Sequence, residues 1–167
     1  MKNILLLIVI TTLFTGCDFG PPATLNEDFV HYNLINKDLP FTKLIGKYKL
    51  DKDSKVRYNI PDSLDFYIEL GVKNKKDTFL NANRYISPLD RSIIDERLDD
   101  IKIMYYENGK DINSLNRKLI GTGNISVYTR KQDSVLALYV YTPPTSIKKN
   151  DSIIYLNGDY LRYIKVD

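Results

Sequence analysis

The sequence predicts a mainly β fold: a single antiparallel β-barrel or meander of about eight strands, with one or two short helices. Three observations predict it. Apolar and polar residues alternate with period two through most of the chain, the rhythm of strands with one face turned inward. Turn-forming clusters punctuate these runs at hairpin-like spacing, which suits antiparallel neighbours rather than parallel strands joined by helices. No internal repeat, heptad pattern or low-complexity segment competes with that reading.

Taken in order, "DFGPPA" (residues 18–23) is breaker-rich and reads as a short tether. The following "TLNEDFVHYNLINKDLPF" has room for one short helix starting near Asn26. "KLIGKYKL" sets Leu44, Gly46, Tyr48 and Leu50 on one face and Lys43, Ile45, Lys47 and Lys49 on the other. "LDFYIELGV" sets Phe66, Ile68 and Leu70 opposite Asp65, Tyr67 and Glu69, and "KNKKD" reads as the turn into "TFLNANRYI". "SPLDRSIIDERLDD" breaks the rhythm and predicts a helix. Ser87 suits the N-cap, Pro88 the first helical position and Asp90 the positive end of the dipole, with Leu89, Ile93, Ile94 and Leu98 sharing a side. Strands resume with "IKIMYYE", closed by Asn108-Gly109, then "GNISVYTR" and "VLALYVYT" around the loop "KQDS". "VLALYVYT" is apolar on both faces, as a strand covered on both sides should be. Finally "SIIYL" and "DYLRYIKV" flank Asn157-Gly158, a strong two-residue hairpin signal.

The first 16 residues differ from the rest. Lys2 precedes an uncharged run of 11 residues, Ile4 to Phe14, apolar apart from Thr11 and Thr12. That is shorter than the roughly 20 residues a bilayer-spanning helix needs and fits the apolar region of an export signal. The run ends in "LFTGC", which holds the chain's one cysteine. The stretch resembles the lipobox of bacterial lipoprotein signals, with Thr15 and Gly16 before the cleavage point and Phe14 where Leu is usual. The resemblance implies removal of residues 1–16 and acylation of Cys17, whose thiol takes a diacylglycerol. A tether over 17–25 and a single antiparallel β domain over 26–167 would follow. Two or more acyl chains anchor a protein stably where one does not. The expected location is then the bacterial cell envelope, with the domain outside the cytoplasm. With no second cysteine, such a domain relies on packing alone. The net charge is +3 at pH 7 and drops by one with Lys2, so the chain has no strong field and a nucleic-acid partner is not expected.

Gly46-Lys47-Tyr48 is similar to the Gly-x-Trp signature that opens lipocalin-like barrels, with Tyr in place of Trp. The chain as a whole looks like small envelope lipoproteins that carry lipocalin-like domains.

Little catalytic chemistry is on offer. The chain has one histidine, His31, and the usual general base near neutral pH is histidine. Before the first long strand, a lone ring reads as a surface residue. Zinc sites built from several Cys or His ligands are excluded by count, and no metal or cofactor is expected. On the predicted helix, Asp95/Asp99 and Glu96/Asp100 fall one turn apart. Such pairs can bind calcium or act as acid and base, but a solvated helix face partly compensated by Arg91 and Arg97 produces the same pattern. "GTGN" (residues 121–124) has too few glycines for a phosphate loop and reads as a strand entry or bulge.

Tyrosine is the abundant resource, with 13 in the chain. Tyr128, Tyr139, Tyr141, Tyr155, Tyr160 and Tyr163 crowd the last strands and Tyr48 lies on the first. Inside a barrel they would line a pocket for a small apolar ligand; outside they would form an adhesive face for a protein partner. Tyrosine is also simply a good strand residue. The expectation is a lipid-anchored, non-catalytic binding module for one of these two. The alternatives are an envelope-polymer hydrolase using carboxylates and an immunity- or inhibitor-type lipoprotein. Strict up-and-down alternation of the eight strands would add a basic rim facing the membrane. Lys73, Lys75, Lys76, Lys148 and Lys149 would then sit at the end where the tether enters, with the acidic helix and the Arg130-Lys131 turn at the far end.

Overall fold

The computed structural model describes residues 28–35, 38–74, 76–108, 110–114 and 124–166. Cys17 with its leader, the 17–25 tether, Lys75, Gly109 and Gly121 to Gly123 lie outside them. In chain order the elements are β1 (Phe29–His31), a 3-10 turn (Tyr32–Ile35), α1 (Phe41–Leu44), β2 (Gly46–Leu50), α2 (Lys52–Arg57), β3 (Tyr67–Lys73), β4 (Asp77–Ala82), β5 (Tyr85–Ile86), β6 (Ile93–Ile94), β7 (Leu98–Tyr106), β8 (Asp111–Ser114), β9 (Asn124–Arg130), β10 (Leu136–Thr142), β11 (Thr145–Lys149), β12 (Ser152–Leu156) and β13 (Asp159–Lys165). Among the described residues no helix is long and apolar enough to cross a membrane.

Eight strands close an antiparallel barrel in simple chain order, β2-β3-β4-β7-β8-β9-β10-β13, and β13 pairs back onto β2 through Tyr163↔Leu50 and Lys165↔Tyr48. Closure leaves these strands no long free edge, the usual liability of a sheet. The short β1 shares one edge of β9 with β8: Asp111 to Asn113 pair with Ser126 to Asn124, and Phe29 to His31 with Arg130 to Tyr128. Two hairpins stand outside the barrel ladder, β5–β6 between β4 and β7 and β11–β12 between β10 and β13. Residue 28 therefore enters beside the end of β9, and β11–β12 rises from the opposite end, where β10 finishes.

Period two does what the sequence expects of it. Tyr48, Leu50, Ile68, Leu70, Leu80, Ile103, Ile112, Ile125, Val127, Leu138, Val140, Leu161 and Tyr163 are buried in one continuous core. Gly46 opens β2 with φ 135°, a conformation that L side chains rarely adopt. At the entry end Tyr32, Leu39 and Leu44 complete the core, and Tyr105 Oη donates to the Leu39 carbonyl at 2.6 Å. Ile60 and Phe66, on the connection from β2 to β3, do the same at the far end.

Three expectations are corrected. The number eight holds, but its membership changes: β8, unpredicted, is a barrel strand, and "SIIYL" is not. β12 pairs with β11, while β13 pairs with β10. Asn157-Gly158 is therefore no hairpin turn. The left-handed pair that a type I′ turn requires is Asn150 (φ 46°) and Asp151 (φ 60°). Gly158 serves packing instead, since a Cβ there would lie 2.3 Å from Tyr141 Oη.

Second, residues 87–100 form no helix. Ile93 and Ile94 pair with Ile86 and Tyr85. The cap-type residues bend the chain locally: Ser87 Oγ accepts from Leu89 N, Asp90 Oδ1 accepts from Ser92 N, and Arg91 takes φ 58°. Third, the basic rim fails, because one strand shifted in the count reverses every later connection. The β3–β4 turn with Lys73 and Lys76 lies at the entry end together with Arg130-Lys131, and Lys148 and Lys149 lie at the far end. Between β2 and β3, where the sequence pattern assigned no element, α2 forms, and Asp51 caps it by accepting from Ser54 N at 2.8 Å. The short helix expected near Asn26 starts outside the described residues, and beyond it the chain forms β1 and the 3-10 turn.

Candidate functional site

The seven singled-out tyrosines separate into three environments. Tyr48 and Tyr163 point into the barrel and are fully buried. Tyr48 Oη donates to the Leu44 carbonyl at 2.8 Å. Tyr163 Oη finds no hydrogen-bond partner among the described residues, and burial raises its pKa above the usual tyrosine value.

Tyr128, Tyr139, Tyr141 and Tyr160 lie on the outer face of β9, β10 and β13 as a continuous row of rings. Tyr128 and Tyr139 centroids are 4.0 Å apart, Tyr139 and Tyr160 6.4 Å, and Tyr160 and Tyr141 5.0 Å. Phe29 of β1 meets Tyr139 edge-on at 6.2 Å, and His31 meets Tyr128 at 4.9 Å. The strand apolar on both faces thus has its second face covered, as expected. Burial raises the Tyr139 hydroxyl to about 12, opposed by hydrogen bonding to the Arg162 guanidinium.

Arg162 locks this face to α2. Its guanidinium is buried between Asp51 and the exposed Asp53, whose Oδ2 lies 2.7 Å from Nη2, and it stacks over Phe29 at 4.7 Å. α2 also completes the upper edge of β13, where β2 has ended. Asp51 N donates to the Arg162 carbonyl at 3.0 Å, Arg162 N to Ser54 Oγ at 2.9 Å, and Arg57 Nη2 to the Tyr160 carbonyl at 2.7 Å. Every backbone group thereby satisfied is one that burial would otherwise penalise. Most of the tyrosine face is consequently packing rather than free surface.

Tyr155 is different: it stands on the β11–β12 arm and is 79% exposed, next to Ile153 at 60%. Leu89, on the β5–β6 turn, is 78% exposed. Thr145 Oγ1 donates to the Leu89 carbonyl and Arg91 to the Asn157 carbonyl, so turn and arm are joined at the arm's base. There a depression of about 350 Å³ is lined by Pro144, Thr145, Ser146, Tyr155, Leu156 and Asn157. Tyr155 and Ile153 on the arm and Leu89 on the joined turn thus present exposed apolar side chains side by side, a pattern that marks interaction sites.

The carboxylates expected on a helix are dispersed. Asp95 pairs with Arg84 at 2.9 Å, Tyr85 Oη donates to Glu96 at 3.2 Å, Asp99 pairs with Arg97 at 2.8 Å and Asp100 with Lys73. Among the described residues no group of three or more His, Cys, Asp or Glu is placed to hold a metal ion. His31 is half-buried rather than a free surface residue. Its Nδ1 accepts from Asn33 N at 3.2 Å and its Nε2 lies 4.0 Å from Asp111. Burial lowers its pKa, with the Asp111 charge opposing. Sequence reasoning missed Arg162 and Asp51, whose pairing spans 111 positions, and it missed the arm. A signal for the arm was present in the uncharged "SIIYL" and in Pro143-Pro144, which break the chain straight after the strand "VLALYVYT".

Comparison with known proteins finds no match: no family model, curated protein or solved structure is similar to this chain.

Proposed function

We propose that the chain is a lipid-anchored envelope lipoprotein acting as a non-catalytic binding module, and that it takes a protein partner on its arm rather than a small apolar ligand in its barrel. The observation that carries the choice is the contrast between inside and arm. Inward positions are filled by large side chains, among them Tyr48, Ile68, Leu70, Leu80 and Tyr163, all essentially unexposed, while Ile153, Tyr155 and Leu89 are presented to solvent. Aromatic and aliphatic anchors on a projecting element fit protein recognition. The arm's position supports the same reading. A chain acylated at Cys17 would hold the barrel by its entry end, and the arm would point away from the bilayer. An inhibitor or immunity role is one form of this reading. The carboxylate hydrolase loses its support with the helix that aligned its acids.

The test is mass spectrometry on the full chain purified gently from membranes, paired with a photo-crosslinking residue at position 155. Expected are acylation at Cys17, no retained small molecule and a protein adduct at position 155 that is absent when the probe sits at the barrel-wall position 69. An unmodified Cys17 thiol overturns the anchor, and a retained apolar small molecule overturns the choice of partner over ligand.

A further inference from the structure

We propose that the free edge of β12 is a self-pairing site, through which two copies of the chain join by antiparallel β12–β12 addition centred on Ile154. The proposal rests on the reading of the arm as an interaction surface and names its occupant.

The backbone geometry carries it. Asn150 and Asp151, both left-handed, form the two-residue loop between Lys149 and Ser152. In such a hairpin the residues flanking the loop exchange both backbone hydrogen bonds, and bonded pairs then alternate along the ladder. Lys149–Ser152 and Ile147–Ile154 are the bonded pairs, so the N–H and C=O of Ile153 and Tyr155 point away from β11. Among the described residues β12 pairs with β11 alone, which leaves these groups as a template for another strand.

The two edges of the arm are not equivalent. β11 carries Lys148 and Lys149 and follows Pro143-Pro144, devices that discourage strand addition. β12 carries no charge and no proline. A second β12 complements it without further requirement. Centring on Ile154 sets Ile153 of one copy opposite Tyr155 of the other, twice, by symmetry. Each pair exchanges both of its outward backbone bonds. Ile153 and Tyr155 lie on the solvent face of the arm, so each contact also joins a β-branched to an aromatic side chain, a favourable cross-strand combination. No like charges meet. Two five-residue strands bury less than the roughly 1,200 Å² of a standard interface, so the pair is a reversible association.

The test is disulfide trapping in the full chain with Ile154→Cys. Across the two-fold axis the two position-154 residues form a non-bonded pair with Cα atoms about 4.5 Å apart, within the range of roughly 4.4 to 6.8 Å that a disulfide spans. Mild oxidation is expected to give a covalent dimer, with Ser146→Cys on the guarded edge roughly tenfold slower. Adding Ile153→Pro removes an outward N–H without touching the ladder to β11 and is expected to slow trapping roughly tenfold. A second pair of variants avoids any doubt about folding. Ile153→Lys with Tyr155→Lys sets like charges side by side and abolishes trapping, whereas Ile153→Lys with Tyr155→Asp retains it. Absence of dimer from Ile154→Cys, or equal trapping at position 146, overturns the proposal. If Ile154→Cys gives no dimer while a photo-probe at 155 captures a different protein, self-pairing falls and the arm reading stands. If neither gives a product, both fall.

Discussion

Tyr139 of β10 is 1% exposed and Tyr155 of β12 is 79% exposed, although both belong to tyrosine-bearing apolar strands close together in the chain. The difference lies in what each sheet face meets. β10 is paired on both edges, its inner face packs into the barrel, and its outer face is covered by Phe29, Tyr128 and the Arg162–Asp51 pair held by α2. β12 is paired on one edge, and the face bearing Ile153 and Tyr155 meets solvent. The lesson is that burial of a strand is decided by closure and cover, not by its composition. The same residue type then serves as filler in one place and as a contact surface in the other.

Truncation should separate the two regions most sharply. Tyr48→Ala or Tyr139→Ala empties a packed site and is expected to cost about 3 to 5 kcal/mol. Tyr155→Ala is expected to stay within about 0.5 kcal/mol, as for an exposed side chain without packing partners. Urea midpoints at constant m-value measure both, and equal costs at positions 139 and 155 would break the comparison.

The next effect concerns the cover of the tyrosine face. Arg162→Ala leaves the Asp51 carboxylate, 7% exposed, without its countercharge, and removing one partner of such a pair is expected to cost about 3 kcal/mol. Asp53, 69% exposed, belongs to the same cluster, yet Asp53→Asn should cost less than about 1 kcal/mol because water screens it. A larger cost for Asp53→Asn than for Arg162→Ala would show that the Arg162–Asp51 pair is not the clasp between α2 and β13.

Protonation probes the seam between β1 and β9 more gently. His31 is the chain's one histidine, and burial lowers its folded-state pKa below the ordinary 6.5. The unfolded chain therefore binds the proton more readily, and stability rises with pH wherever that holds. The contribution is present above pH 6.5 and is lost as pH falls through the folded value. His31→Gln should flatten the stability curve just below pH 6.5, read from melting temperatures. A slope of the opposite sign would mean that the Asp111 charge outweighs burial.

Much of the barrel was legible because alternation reports which side chains point inward whatever their partners: Tyr48, Leu50, Ile68, Leu70, Val127 and Leu138 are all found there. Pairing was not legible. "DINS" is too short and polar to register as a strand, yet Ile112 and Ser114 are buried in the wall. "SIIYL" has every strand feature and stays outside the barrel. Ser87 and Asp90 suit a helix cap and a tight turn equally, because in both their side chains bond nearby backbone N–H groups. The division of the tyrosines into inner, covered and exposed needed the register of β10 against β13 and the approach of β1. Both depend on contacts between residues far apart in sequence.

A small stability effect is expected even from the largest deletion. Thr142 and Asp159 are already register partners at the head of β10 and β13, and Thr142 Oγ1 donates to the Asp159 carbonyl at 2.9 Å. Replacing residues 143–158 with a two-residue Asn-Gly turn therefore closes a hairpin whose strands are in place. The variant loses the contacts of Thr145 and Asn157 with the β5–β6 turn and the half-burial of Ile147 and Leu156. It gains from a shorter connection, worth about 0.6 kcal/mol for each halving in a flexible loop. These terms oppose each other, so the urea midpoint should move by less than the equivalent of about 1 kcal/mol. Trapping of the second copy and adduct formation through the arm should both disappear. A large destabilisation would make the arm part of the barrel's structure, and undiminished partner capture would move the interaction surface back to the half-exposed Tyr141 and Tyr160.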